Sequence, residues 1–291
     1  MDTQNVLPDL IEQLQVEPEG NDVFHGISTD IFGTGRIFGG QVLGQSLMAA
    51  SLTVTPGRAV HSLHSYFLRP GDTSKPVRFE VERTRDGGSF SARRVIASQL
   101  GQPIFIMSSS YQGEEPGFNH QSSAPIVPAP DQLKNEKQLI SEIEHKLPRR
   151  LASLVGRDFA IEMRPVEPTH MFKPGNYDPE AHIWFRAADK LPNNPLLHRA
   201  MLAYTSDFYL LFTSLLPHNQ TPFSPEMQMA TIDHAIWFHR PFRMDEWLLY
   251  SLESPSASNA RGFCRAQIFN STGDLIASTT QEGLVRKVQE R

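Results

Sequence analysis

One pattern occurs twice in this chain, and a chain that repeats itself at a fixed distance has few folds open to it. SYFLRP (Ser65 to Pro70) returns as IWFHRP (Ile236 to Pro241). An offset of 171 superposes Phe67 on Phe238, Arg69 on Arg240 and Pro70 on Pro241. The same offset carries Phe79 to Tyr250, Glu82 to Glu253 and Arg94 to Arg265. One further residue of slip aligns Gly101-Gln-Pro-Ile104 with Gly273-Asp-Leu-Ile276. Identity is low, but order and period are shared. The 291 residues are therefore read as two copies of one unit rather than as one large domain.

Each copy shows the same succession of elements. In the first, Gly39-Gly40 opens an apolar segment, Gln41 to Leu52, whose residues 43, 47 and 50 recur at helical spacing. Two glycines at that start would let another group approach the helix closely. Val60 to Leu68 is rich in strand formers, and Val77, Phe79 and Val81 alternate with Arg78, Glu80 and Glu82. Asp86-Gly87-Gly88 turns the chain into a strand from Ser89 to Leu100, and Gly101-Gln102 turns it again into Pro103 to Gln112. The second copy has a longer predicted helix, Pro195 to Leu216, followed by strands at 229–239, 246–254, 260–270 and 275–286. Prolines 116, 125, 128 and 130 mark a connection, then a charged helical segment runs from Asp131 to His145 and a proline-bearing stretch from Pro165 to Pro179.

A helix followed by long antiparallel strands is an α+β plan. Two copies can pair edge to edge, giving one continuous sheet with two central helices. The expected division is an N-terminal repeat over 1–115, a linker over 116–160 and a C-terminal repeat over 161–291.

Composition narrows the function. With 39% hydrophobic and 20% charged residues the chain reads as globular, and no apolar run approaches the ~18 residues of a membrane helix. No membrane insertion is expected. The first residues, MDTQNVLPDLIEQLQ, carry no basic region typical of a secretory signal, and the final VRKVQER is not a peroxisomal ending. A lone Cys264 excludes a disulfide framework and a cysteine zinc site. A net charge of −5 argues against nucleic acid as the partner. These features predict a cytoplasmic protein.

Asp207 is the residue that most invites chemistry. It stands in Tyr204-Thr-Ser-Asp-Phe-Tyr-Leu-Leu-Phe212, inside the predicted helix, with Ala203, Tyr204, Leu210 and Leu211 at the positions where an ion-pair partner would sit. Burial of a carboxylate costs free energy unless it is hydrogen-bonded, and it raises the pKa. The same aspartate could instead lie on a narrow exposed stripe or cap another element. Thr231 and Gln281 are polar residues that could face it, although each alone also reads as an ordinary strand residue. Together an aspartate, a hydroxyl and an amide could hold a water in line with a carbonyl and take its proton. The repeat places Val60 and Ser109 opposite Thr231 and Gln281, and the first helix carries no acid. One site per chain follows.

Other constellations are weaker. His61-x-x-His64 and the histidines 234 and 239 have no carboxylate at ligand spacing, so no metal is expected. Asp233-His234 could form an acid–base dyad, but strand neighbours point to opposite faces. Gly87-Gly-Ser-Phe-Ser91 is not a nucleophile elbow. The glycines between 33 and 40 do not match a dinucleotide or phosphate-loop spacing, and no cofactor is expected.

Several blocks resemble the bacterial acyl-coenzyme A thioesterase II family. They are RIFGGQVLGQ (36–45), HSLHSYFLRPGD (61–72), RDGGSFSARRV (85–95), LAYTSDF (202–208), ATIDHAIWFHRPF (230–242), EWLLYSLESPSASNARGF (246–263) and STTQEGLVR (278–286). They run in order across nearly the whole chain; the linker, about 114–160, is the least distinctive part. The resemblance implies a double hotdog fold, in which each half wraps a helix in an antiparallel sheet. It implies hydrolysis of acyl-CoA thioesters, of medium to long chain, to fatty acid and CoA. It implies a water-activating set at Asp207, Thr231 and Gln281, and assembly into homo-oligomers, dimers or tetramers of the double-hotdog unit. A hotdog hydratase using Asp233-His234, or a non-catalytic acyl-CoA-binding protein, would take the same substrate.

Overall fold

The computed structural model describes residues 6–143, 145, 158–168 and 173–288. A short helix, α1 (Val6–Leu14), leads into a hairpin of β1 (Glu17–Gly20) and β2 (Val23–Gly26). Asn21 and Asp22, at φ 52° and 58°, make the left-handed turn between them. Helix α2 (Gly39–Leu52) follows, then β3 (Arg58–Phe67), β4 (Val77–Asp86), β5 (Phe90–Gln99) and β6 (Gln102–Gly113). After the connection come α3 (Glu136–Ile143), β7 (Ile161–Pro165), β8 (Glu180–Ala187) and α4 (Pro195–Ser206). A 3-10 helix, Leu211–His218, precedes β9 (Met227–Thr231), β10 (Asp233–Phe238), β11 (Leu248–Ser258), β12 (Arg261–Asn270) and β13 (Leu275–Lys287).

Among the described residues thirteen strands join one sheet in the order β1-β2-β4-β5-β6-β3-β10-β13-β12-β11-β8-β7, with β9 on β13. Read outward from the β3–β10 seam, the two sides carry corresponding strands in the same order. The seam is antiparallel, pairing Leu63 with Ile236 and Ser65 with His234. Ser65 Oγ also donates to the His234 carbonyl at 2.8 Å. This is the expected α+β plan of two sheet-wrapped helices joined edge to edge. The two helices pack together inside the curve of the sheet. Residues 40–50 of α2 are all buried, and Leu197 and Ala200–Ala203 of α4 lie in the same core. A helix apolar on every side is stable only when it is covered on every side.

Three expectations need correction. The predicted helix Pro195 to Leu216 stops at Ser206, because the chain there has other partners. Tyr250 Oη donates to the Ser206 carbonyl at 2.7 Å, taking the acceptor that a continuing helix would need. Tyr209 then adopts φ 65°, and the chain resumes as the 3-10 helix. The predicted strand 229–239 is likewise divided, at Ile232, into β9 and β10. The repeat offset sets Ile232 opposite His61, where the β3 register also shifts. The expected helical segment Asp131 to His145 holds a 3-10 turn, Pro130–Gln132, and α3, while its residue 144 lies outside the described residues.

From residue 119 to 133 the connection lies across the outer face of the second half. Trp184, Leu249, Phe269 and Leu275 form a second apolar cluster there, covered by Ala124, Val127 and Leu133. Trp184 Nε1 donates to the Pro128 carbonyl at 2.9 Å. Among the described residues no helix is long and apolar enough to cross a membrane.

Candidate active site

Ending α4 at Ser206 places Asp207 at the C-cap, with helical φ −82° and ψ −12°. Its side chain leaves the helix axis and meets two strands. Gln281, fully buried on β13, donates from Nε2 to Asp207 Oδ1 at 2.6 Å and to Thr231 Oγ1 at 2.9 Å. Thr231, the last residue of β9, reaches Asp207 Oδ1 at 3.4 Å. The break after Thr231 gives this hydroxyl its position, since the Ile232 N–H bonds the Glu282 carbonyl and the Phe67 N–H bonds the Ile232 carbonyl. The three residues singled out in the sequence therefore meet on one carboxylate.

A fourth contribution comes from the other half. Phe38, the N-cap residue of α2, supplies no side-chain acceptor to the helix start. Asp207 occupies that place: its carboxylate accepts from the Gly40 N–H, which partly offsets the rise that burial imposes on its pKa. A Cβ on Gly39 would stand 2.5 Å from Asp207 Oδ2, and one on Gly40 2.2 Å from the Tyr204 carbonyl. Only glycine lets the two helix ends approach this closely. Asp207 thus caps another element and also faces a cavity, so its structural role leaves room for a chemical one. By contrast, α4 begins with its own cap, Asn194 Oδ1 accepting from Leu196 N at 3.1 Å and Leu197 N at 3.3 Å.

The cavity in front of Asp207 has a volume of about 380 Å³. Its walls are mainly apolar, including Ile37, Leu211, Phe212 and Met229. Phe38 packs on Phe208 at 4.4 Å and on Tyr204 at 5.3 Å, and Phe32 closes on Phe38 at 5.6 Å. Desolvation by these walls pushes the Asp207 carboxyl up to about 6, against the opposing pull of Gln281, Gly40 and Thr231. A carboxylate with that pKa is ionised at neutral pH and still basic enough to accept a proton.

Asp233 and His234 do not form a dyad. Asp233 Oδ1 accepts from the Glu282 N–H at 2.7 Å, whereas His234 is buried behind the site. Its Nε2 lies 2.9 Å from Ser206 Oγ and 3.1 Å from Thr279 Oγ1, and burial lowers its pKa to about 3, which keeps it neutral. Cys264 is buried on β12 with its thiol pushed up to about 11 by desolvation, so it is a poor nucleophile. Among the described residues no three His, Cys, Asp or Glu side chains gather as a metal site.

Two sequence families match this chain. Residues 29–112 fit an acyl-CoA thioesterase N-terminal domain, and residues 154–284 fit a family described as acyl-CoA thioesterase. Acyl-CoA thioesterase 2 of Haemophilus influenzae is 38% identical over 97% of this chain and 98% of its own length. The chain belongs to the acyl-CoA thioesterase family. Human acyl-coenzyme A thioesterase 8 is also 38% identical, over 94% of this chain and 87% of its own. An acyl-CoA thioesterase II structure from Mycobacterium marinum is 40% identical with a TM-score of 0.78, covering 95% of this chain and 98% of that one. A hot-dog-fold protein from Alicyclobacillus acidocaldarius, at 17% identity and TM-score 0.75, covers 97% of this chain and 99% of its own and shares the fold. This thioesterase-family chain has the double hotdog architecture. Gly39-Gly40 is a candidate oxyanion donor from sequence, but the contact of Gly40 with Asp207 and the aromatic wall were not read there. The glycine pair at a helix start was the signal for the first, but nothing local tied Phe38 to Phe208, 170 residues away.

Proposed function

We infer that this protein hydrolyses acyl-CoA thioesters to free acid and CoA, with Asp207 as general base and Thr231 and Gln281 as the groups that hold the water. The carrying observation is the buried carboxylate, bonded to the Gln281 amide at 2.6 Å and open to an apolar cavity. Water attacks the thioester carbonyl carbon while Asp207 takes its proton. The C–S bond then breaks and the proton passes from Asp207 to the CoA thiolate, leaving fatty acid and thiol. Thiolate leaves readily, so no covalent enzyme intermediate is needed. For the developing oxyanion the N–H groups at the start of α2 are the candidates, since Gly40 already reaches the site; the start of α4 lies a 12-residue helix away from Asp207. The apolar walls suit a medium to long acyl chain. We place the enzyme in the cytoplasm as a homo-oligomer, dimer or tetramer, and divide it into repeats 1–115 and 161–291 around a 116–160 linker.

Thiol release from a series of acyl-CoAs tests this. Turnover with free acid as product is expected. Absence of thiol from every chain length, or a hydrated acyl-CoA as product, would overturn it. Light scattering of the purified protein reads the assembly, where a monomer would refute the oligomer.

A further inference from the structure

Next to the cavity of Asp207 lies a second, smaller one of about 40 Å³, lined by Ile183, Leu215 and Leu216 and by the polar Glu167, His182 and Gln220. Tyr209 and Phe212 line both cavities. Their rings stand 6.3 Å apart at 61°, side by side at the boundary. The wall between the two spaces is therefore two aromatic side chains on the segment that follows Asp207.

Tyr209 is an unusual choice for that wall. Its φ of 65° is the left-handed conformation, which glycine and asparagine tolerate and a bulky aromatic residue resists. Tyr209 is only 9% exposed, yet its buried hydroxyl has no protein hydrogen-bond partner. A residue selected for stability alone would satisfy that hydroxyl or relieve that backbone. Both costs are borne by a ring that lies between the two cavities.

We propose that Tyr209, backed by Phe212, is the partition that sets the longest acyl chain this enzyme accepts. The proposal rests on the thioesterase reading and adds to it where the substrate ends. The thioester carbonyl lies at Asp207, the chain runs along the apolar wall, and its terminal methyl meets the Tyr209 ring. Chains beyond that length are excluded by the ring, although space continues on its other side.

The experiment is a chain-length profile of kcat/KM for the wild type and Tyr209→Gly, which removes the ring and relieves the left-handed φ. The cutoff is expected to move to longer chains. At the first length that the wild type rejects, kcat/KM should rise about tenfold, the scale of one methylene in an apolar pocket. Tyr209→Phe keeps the ring and should keep the wild-type cutoff. An unchanged cutoff in a folded Tyr209→Gly protein overturns the partition, as does a cutoff that moves with Tyr209→Phe. Phe212→Ala and Tyr209→Asn, which also tolerates the backbone, give the same reading if the glycine variant does not fold. Failure of the thioesterase reading looks different, because then the wild type releases no thiol at any length.

Discussion

The two halves share a sheet plan but close the end of their helices in different ways. Between α2 and β3 the chain spends five residues, 53–57, whereas between α4 and β9 it spends twenty, 207–226. The longer stretch begins with Asp207 and contains the 3-10 helix, and the sheet has made room for it. A Cβ on Gly262 would stand 2.4 Å from Ser214 Oγ, and one on Gly283 2.4 Å from Leu211 Cδ2. The repeat sets Ser91, Arg93 and Tyr111 opposite Gly262, Cys264 and Gly283. In the first half these larger residues fill the space themselves.

Arg93 does most of the filling. Its side chain is fully buried, with Nε on Thr53 Oγ1 at 2.7 Å and Nη2 on the Thr53 carbonyl at 3.0 Å. Nη2 also pairs with Asp86 at 2.9 Å, and Tyr111 Oη lies 3.2 Å from Ser51 Oγ. A cation at the C-terminal end of α2 is favoured by the helix dipole. One half thus plugs its helix end with a charge that stabilises. The other carries there an acid whose burial opposes its ionisation. On the proposed mechanism, stability and chemistry fall to different copies of one unit.

The sharpest break between the halves is in turnover. Asp207→Asn should lower kcat/KM by on the order of 10²–10⁴-fold while the protein stays folded by circular dichroism. An active, folded variant would remove Asp207 from the chemistry. Arg93→Ala should do the reverse, costing roughly 3 kcal/mol in urea unfolding through lost packing and backbone hydrogen bonds, while the folded fraction keeps the wild-type kcat. Gly40→Ala tests the one place where the halves share a task. Its Cβ would meet the Tyr204 carbonyl, so a loss of about 2 kcal/mol is expected together with a fall in kcat. Stability loss with intact kcat would confine Gly40 to packing.

The smallest effect is in the pH profile. The proposed general base works in its ionised form, so kcat/KM should fall below about pH 6, where burial pushes the Asp207 carboxyl. The linkage runs the opposite way for folding. A carboxyl raised from 3.8 to about 6 stabilises the fold when protonated, and that contribution is lost as pH rises through about 6. Comparing wild type with Asp207→Asn between pH 4 and 7 isolates this slope, and parallel stability curves would contradict the buried assignment.

Much of this architecture was legible because strands announce themselves locally. The offset maps β5 (Phe90–Gln99) onto β12 (Arg261–Asn270) residue for residue. The helices keep a different spacing, 156 from Gly39 to Pro195, since the fifteen extra residues fall between helix and strand in the second half. That insertion hides in sequence because Tyr209 to Leu216 is as apolar as the helix before it; what ends α4 is the Tyr250 hydroxyl, 44 residues away. The hairpin of β1 and β2 was missed because four-residue strands carry little periodicity. The site was legible as three residue types, while their contact with α2 depends on a helix from the other repeat.

That contact means that neither repeat owns the site. Lesions at Gly40 and at Asp207, one in each half, fall on a single function, so two damaged copies of the gene would complement only if their products exchanged halves. Joining the repeats in one chain keeps the glycine-started helix and the acid always at hand for each other. Such a tether lets the opposite end of the helix pair give up any matching arrangement without cost to the first.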